Sequence, residues 1–278
     1  MTDYLDTVID FNQPTVANAF DELPLWAARF GALLLDNLPF ARDITALDVG
    51  PGTGFPLFEL AHRFGESCRF IAVDPWKAAL DRAATKRRYY QWLKQVWLIQ
   101  GDAARLPLPD ASVSLITSNL GINNFDDPPA VMAECVRVAK RGARLALTTN
   151  LTGHMREFYA VFADVLRDFG NPQYEERLGA NEAHRGTVES VRALIEGGGF
   201  QVARVIQEPF PIRYADGSAM LRHSLTRIGF LPAWRAVVDP ADEQAVFAEL
   251  EKRLNTLAAE QGELRVTIPM LYLEAVRA

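Results

Sequence analysis

From Ile44 onward the chain alternates short apolar, β-rich runs with longer stretches of helical spacing. That alternation predicts strands at 44–49, 69–73, 95–100, 113–118 and 143–149, with helices between them at about 55–64, 76–90 and 128–139. The unit recurs every 25 to 30 residues, roughly the length that a parallel strand pair with a crossover helix requires. A parallel sheet covered by helices follows from this pattern.

The flanks read differently. Residues 1–40 carry Phe11, Phe20, Leu23, Leu25, Trp26, Phe30 and Leu33 to Leu35, spaced like one or two amphipathic helices, with Pro14 and Pro24 suited to helix starts. After Asn150 a helix is predicted at about 155–169, then a loop through Gly170, Pro172, Gly179 and Gly186. The run Thr187 to Glu196 opens on a cap residue and closes on Gly197-Gly198-Gly199, so it predicts a helix with a clear stop, followed by a strand from Phe200 to Gln207. A last strand-like run spans Leu264 to Val276 and reads as an edge partner interrupted at Pro269. The interval before it holds a helix near 218–228 and a charged helix near 241–260, too much structure for a hairpin turn. Residues 209–262 are therefore expected to form a lid or substrate-covering insertion.

With 278 residues, about half of them apolar and about a quarter charged, the chain can bury one large α/β core. The net charge of −6 argues against a phosphate-backbone partner, because nucleic-acid binders usually present a basic surface. The two cysteines, Cys68 and Cys135, lie in apolar-periodic stretches and are too few for a disulfide framework or a four-cysteine zinc site. The acidic N-terminus lacks a basic leader region, and Leu33-Leu34-Leu35 is too short to cross a bilayer. The expectation is a soluble cytoplasmic protein with no nucleic-acid or membrane partner, and with a homodimer as an admissible assembly.

Candidate chemistry begins at Asp48-Val49-Gly50-Pro51-Gly52-Thr53-Gly54, between a strand and a helix. Glycines at alternate positions let the backbone turn tightly and approach a ligand, with free N–H groups near a helix start. A dinucleotide loop more often reads G-x-G-x-x-G, and here Phe55 departs from that spacing. Asp74 ends the second strand, where a carboxylate can accept from two ribose hydroxyls, and Trp76 beside it can pack on an adenine face. Gly101-Asp102-Ala103 follows the third strand and places a carboxylate within reach of an adenine amino group. Asn119-Leu120-Gly121 follows the fourth, across the switch point from the first.

This series resembles the class I S-adenosylmethionine-dependent methyltransferase family, in its small-molecule branch, over roughly 44–207. The resemblance implies an α/β, Rossmann-like, doubly wound sheet of seven mostly parallel strands with the last antiparallel, plus N-terminal helices and a helical insertion between the last two strands. It implies a segment 1–40 covering the active site and a methyltransferase domain over 41–278. It also implies S-adenosyl-L-methionine as cofactor, with Asp48, Gly50, Gly52 and Gly54 at its methionine end, Asp74 at the ribose, Asp102 and the Ala103 backbone at the adenine, and Asn119, with Leu120 beside it, lining the methionine or methyl end; Trp76 joins these as a cofactor-binding candidate. No Asn-Pro-Pro-Tyr or Asp-Pro-Pro-Tyr follows the fourth strand, so the likeness does not extend to amino-methylating nucleic-acid enzymes, and Asp127-Pro128-Pro129 reads as a helix cap. No metal is expected at Asn123, Asn124, Asp126 and Asp127.

Methyl transfer from a sulfonium needs alignment and exclusion of water, and a base only for some acceptors. His62 reads as surface or packing, whereas His154, His184 and His223 lie in segments that could cover a pocket. His154 is the chosen catalytic candidate because it follows the fifth strand. Arg213, Tyr214 and Arg222 are polar candidates in the insertion, among aromatics that suggest a small, partly apolar acceptor. Two other functions share these features, a nucleotide-dependent oxidoreductase of NAD type and a catalytically silent protein that only binds the methyl donor.

Overall fold

A computed structural model of the chain describes residues 2–6, 9–22 and 25–278. Leu23 and Pro24, read above as part of a helix start, lie outside the described residues. The elements run in the order α1 (Pro14–Asp21), α2 (Leu25–Asn37), β1 (Thr45–Val49), α3 (Leu57–Phe64), β2 (Arg69–Asp74), α4 (Lys77–Tyr89), β3 (Val96–Gln100), β4 (Val113–Asn119), α5 (Pro128–Val138) and β5 (Ala139–Asn150). There follow α6 (Arg156–Phe169), α7 (Pro172–Ala183), α8 (Val188–Gly197), β6 (Phe200–Tyr214), α9 (Gly217–Arg222), α10 (Ser224–Gly229), α11 (Leu231–Arg235), α12 (Glu243–Gln261) and β7 (Leu264–Arg277).

The seven strands form one sheet in the order β3-β2-β1-β4-β5-β7-β6. Strands β1 to β5 are parallel along the ladder, and β7 lies antiparallel to β5 with Leu147 opposite Leu273. This is the Rossmann-like, doubly wound arrangement expected, with the chain reversing direction of travel between β1 and β4. Ala46, Leu47, Asp48 and Val49 are all buried, as a central parallel strand covered on both faces should be.

The chain divides into two compact units. One gathers 1–10, 151–186 and 208–269; the other gathers 11–150, 187–207 and 270–278 and contains β1 to β5. The first has an aromatic core in which Phe158 stacks on Trp234 at 4.0 Å, and Phe162 and Tyr4 both meet Phe247. In the second, Leu47, Phe70, Ile116, Leu57, Phe30 and Leu34 are buried on and around the sheet.

Four local expectations are corrected. The stretch read as loop after Gly170 contains α7, because Asn171 caps the Gln173 N–H, Pro172 supplies the first-turn φ, and Tyr174 and Leu178, one turn apart, are both buried. The helix expected near 218–228 is two short ones, with Asp216 capping the first and His223 Nδ1 accepting from Leu225 N at the start of the second. Strand β6 continues past Gln207 through Pro209 and Pro211 to Tyr214. Strand β7 is interior, between β5 and β6, not an edge; Pro269 lies one residue before its ladder with β5 and accepts from Leu151 N.

Candidate active site

The carboxyl ends of β1, β2, β3 and β4 lie along one edge of the sheet, and β1 stands between β2 and β4. In open α/β sheets a crevice at this switch point is the usual ligand position. The structure brings Asp48, the glycine loop, Asp74, Trp76, Asp102, Ala103, Asn119 and Leu120 to these strand ends in a single unit.

The glycine loop is held from both sides. Gly50, Gly52 and Gly54 have φ of 76°, 54° and 105°, a region costly for residues with a Cβ. Gly52 N donates to Asp74 Oδ2 at 2.8 Å, and Trp76 N donates to Asp74 Oδ1 at 2.7 Å. Each carboxylate oxygen therefore already receives a backbone proton, which ties the loop after β1 to the end of β2. Burial raises the Asp74 pKa, opposed by these two bonds. A Cβ built on Gly52 would meet nothing within 4 Å, so its face of the loop is an open cradle, whereas one on Gly121 would come within 2.7 Å of the Val49 carbonyl.

Asp48 is 1% exposed. Its Oδ1 accepts from Thr117 Oγ1 at 2.8 Å, while Oδ2 has no partner among the described residues. Burial pushes its pKa up to about 7, with the Thr117 bond opposing and the Asp74 charge adding. An unpartnered buried carboxylate oxygen costs about 1–3 kcal/mol or more and suits a ligand that brings an ammonium group. Beside an open glycine cradle, this donor set fits the methionine end of S-adenosylmethionine.

The remaining positions are each defined by a local bond. Trp76 Nε1 donates to the Phe11 carbonyl at 2.6 Å, and the ring meets Phe11 and Phe20 edge-on at 5.5 Å. Asp102 is exposed and caps the Ala104 N–H at 2.8 Å, with Ala103 buried beside it. Asn119 accepts from Thr148 Oγ1 at 2.7 Å and donates to the Ala27 carbonyl at 3.2 Å. Leu120 takes a left-handed φ of 68°, strain of the kind that gathers at functional turns.

Sequence reading missed Thr117, Ser118 and Asn150. Ser118 Oγ donates to the Val49 carbonyl and so joins the ends of β1 and β4. Asn150, at the end of β5, accepts from Asn123 Nδ2 at 2.8 Å, and its own buried Nδ2 has no partner among the described residues. The polar run at the carboxyl end of each strand, Thr117-Ser118-Asn119 in β4 and Thr148-Thr149-Asn150 in β5, was the available signal. Asp127 accepts from Ala130 N and caps α5, as its sequence context suggests.

His154 belongs to the other unit and is 3% exposed. Burial and the Arg185 charge push its pKa down to about 4, with the Leu151 carbonyl opposing, so the imidazole is neutral at pH 7. His184 ends α7, exposed, and His62 accepts from Trp92 Nε1 on the surface. Of the insertion candidates, Arg213 pairs with Glu263, Arg222 with Glu251 and Asp3, and Tyr214 is buried.

Residues 47–147 match the family model described as a methyltransferase domain. Nocamycin O-methyltransferase of Saccharothrix syringae is 27% identical over 251 residues, covering 86% of this chain and 88% of that protein. Demethylmenaquinone methyltransferase of Bacillus licheniformis is 30% identical over 165 residues, covering 58% of this chain and 68% of that protein. Among solved structures, a SAM-dependent methyltransferase from Aquifex aeolicus superposes with a TM-score of 0.54 at 25% identity, covering 70% of this chain and 92% of that one. The chain belongs to the S-adenosylmethionine-dependent methyltransferase family. It is an enzyme whose methyl donor is S-adenosylmethionine, and the oxidoreductase alternative falls away. Among the described residues no helix is long and apolar enough to cross a membrane.

Proposed function

We propose that Asp48, Gly50, Gly52, Gly54, Asp74, Trp76, Asp102, Ala103, Asn119 and Leu120 hold the methyl donor, and that His154 contacts a small, partly apolar organic acceptor. The observation that carries the donor assignment is the bond from Gly52 N to Asp74 Oδ2, which couples the glycine cradle to the acid at the end of β2. When bound, S-adenosylmethionine supplies an electrophilic methyl group that an acceptor nucleophile takes by in-line displacement. Asp48 receives the ammonium at its free Oδ2, Asp74 accepts from ribose hydroxyls on its remaining lone pairs, and Asp102 accepts from the adenine amino group. Asn119 is held rigid by Thr148 and Ala27, so its position at the end of β4 is fixed before any ligand arrives.

His154, neutral at pH 7, is in the form that accepts a proton or donates a single N–H bond to the acceptor. Residues 1–40 and 209–262 act on this reading as the cover of the acceptor. Two free, buried cysteines support a reducing, cytoplasmic setting.

Isothermal titration with S-adenosylhomocysteine tests the donor site. The wild-type protein binds it, and Asp74→Ala lowers the affinity by about tenfold or more through lost hydrogen bonds to a charged group. Unchanged affinity in a folded Asp74→Ala protein overturns the assignment.

A further inference from the structure

A line of polar side chains crosses one face of the sheet from β1 to β5. Asp48 stands opposite Thr117 in the register and accepts its hydroxyl proton. Asn119, two residues further along β4 and so on the same face, stands opposite Thr148 and accepts from it in turn. Asn150 lies two residues beyond Thr148, again on that face, and is 1% exposed. Two buried atoms of this line complete no hydrogen bond among the described residues, Asp48 Oδ2 at one end and Asn150 Nδ2 at the other.

Distances fix which end of the Asn150 amide is free. Thr149 Oγ1 lies 2.5 Å from Asn123 Oδ1, within the range of O–H···O bonds and too short for N–H···O, so the Asn123 oxygen faces Thr149 and its nitrogen faces Asn150. Asn123 Nδ2 accordingly donates to Asn150 Oδ1 at 2.8 Å. With its oxygen engaged, Asn150 keeps N–H protons to give, and a buried donor without a partner costs about 1–3 kcal/mol. The strand ends that carry the line are fixed, since Asn150 pairs with Met270 across the antiparallel ladder and Asn119 donates to the Ala27 carbonyl. With β4 between β1 and β5, a strand spacing of about 4.8 Å and a rise of about 3.3 Å per residue put Asn150 about 16 Å from Asp48 between Cα atoms. An ammonium and a carboxylate on one α-carbon lie far closer together than this, so Asn150 does not serve the amino-acid end of a donor held at Asp48.

Resting on the reading that Asn119 lies at the methyl end of the donor, we propose that Asn150 Nδ2 binds an oxygen of the methyl acceptor, one that brings lone pairs and no proton, such as a ketone, enolate or phenolate oxygen. The acceptor then lies over the end of β5, one strand beyond Asn119, with that oxygen held at Nδ2. An oxygen of this kind satisfies the buried donor, whereas an ammonium or amine N–H meets a second donor and is rejected. An isostere with CH2 in place of the oxygen leaves Nδ2 unpaired inside the complex. Polar sites reject such isosteres far more strongly than apolar pockets reject a change of size, because the buried group then has neither water nor ligand.

The test uses the full chain saturated with S-adenosylhomocysteine and two probes of equal shape, acetophenone and α-methylstyrene, in which CH2 replaces the ketone oxygen, titrated by calorimetry. The ketone binds at least about tenfold more tightly than the alkene, ~1.4 kcal/mol. The side-chain NH2 resonances of Asn150, assigned in the wild-type protein, shift on adding the ketone and stay in place with the alkene. Asn150→Ala abolishes the preference and retains wild-type affinity for S-adenosylhomocysteine. A preference that survives in that variant overturns the proposal. Equal binding of both probes by the wild-type protein, or binding of neither, overturns it without recourse to any variant. Failure to bind S-adenosylhomocysteine sinks the donor-site reading instead, and the ketone-over-alkene preference, measured without it, still judges Asn150.

Discussion

Two glycines, Gly52 in the proposed donor site and Gly121 beside it, separate ligand approach from packing. At Gly52 an added methyl group meets open space but the φ of 54° disfavours it, so Gly52→Ala should cost about 1–2 kcal/mol of stability. Its larger effect is on binding, because the new Cβ occupies the face where a ligand must approach. At Gly121 the methyl group meets Ser118 Oγ and the Val49 carbonyl, the two ends of the bond joining β4 to β1. Gly121→Ala should therefore lose about 1–3 kcal/mol by overpacking. Denaturant unfolding and S-adenosylhomocysteine titration on both variants decide the matter. Wild-type affinity in Gly52→Ala would show that the loop is not the cradle. The glycines and Asp74 were legible in the sequence because each sits where a strand pattern stops. Thr117 was not, since nothing local says that this threonine of the polar run Thr117-Ser118-Asn119 faces Asp48 on the neighbouring strand; that pairing is set by the register of Asp48 opposite Thr117.

At the level of elements, strands β1 to β4 and helices α3 to α5 followed from hydrophobic spacing because each buries an apolar face against the same sheet. Helix α7 did not, and the reason is energetic. Only Tyr174 and Leu178 are buried along it, and Gly179 lowers its intrinsic propensity, so its stability rests on the Asn171 cap and on tertiary bonds from Tyr174 to Asp242 and Arg177 to Asp239. Helix α8, by contrast, announces itself through Thr187, whose side chain accepts from Ser190 N while Ser190 Oγ accepts from Thr187 N. Asn171→Ala should cost about 1 kcal/mol and speed amide exchange over the first turn of α7. Thr187→Ala should do the same at α8. Exchange measured by mass spectrometry checks both, and unchanged protection at 172–176 in Asn171→Ala would show that tertiary bonds alone hold α7. Strand β6 outran its expected end because Pro209 and Pro211 are two residues apart. Their missing N–H groups point to the same side of the strand, and an edge position tolerates that loss.

For the molecule as a whole, the two most displaced groups of the candidate sites pull stability in opposite directions as pH changes. Asp48 has its pKa raised to about 7, so between its ordinary value near 3.8 and 7 the unfolded chain ionises while the folded one does not. Its contribution is present at acid pH and is lost as pH rises through that window. His154 has its pKa lowered to about 4 from 6.5, so over that range the unfolded chain takes up a proton that the folded one refuses. Its contribution is present above about 6.5 and is lost as pH falls. Each group changes stability by about 1.4 kcal/mol per pH unit inside its window, and the two slopes largely cancel in the wild type where the windows overlap. Single variants expose them. Relative to wild type, Asp48→Asn should gain stability as pH rises from about 4 to 7, and His154→Leu should gain as pH falls from about 6.5 to 4, each read as a free-energy difference from denaturant unfolding across the series. A flat difference for either variant would mean that its group titrates normally in the folded chain. Saturating S-adenosylhomocysteine adds a further discrimination. If its ammonium meets Asp48 Oδ2, the carboxylate form is stabilised and the Asp48→Asn difference loses its slope, while the His154→Leu difference keeps its own.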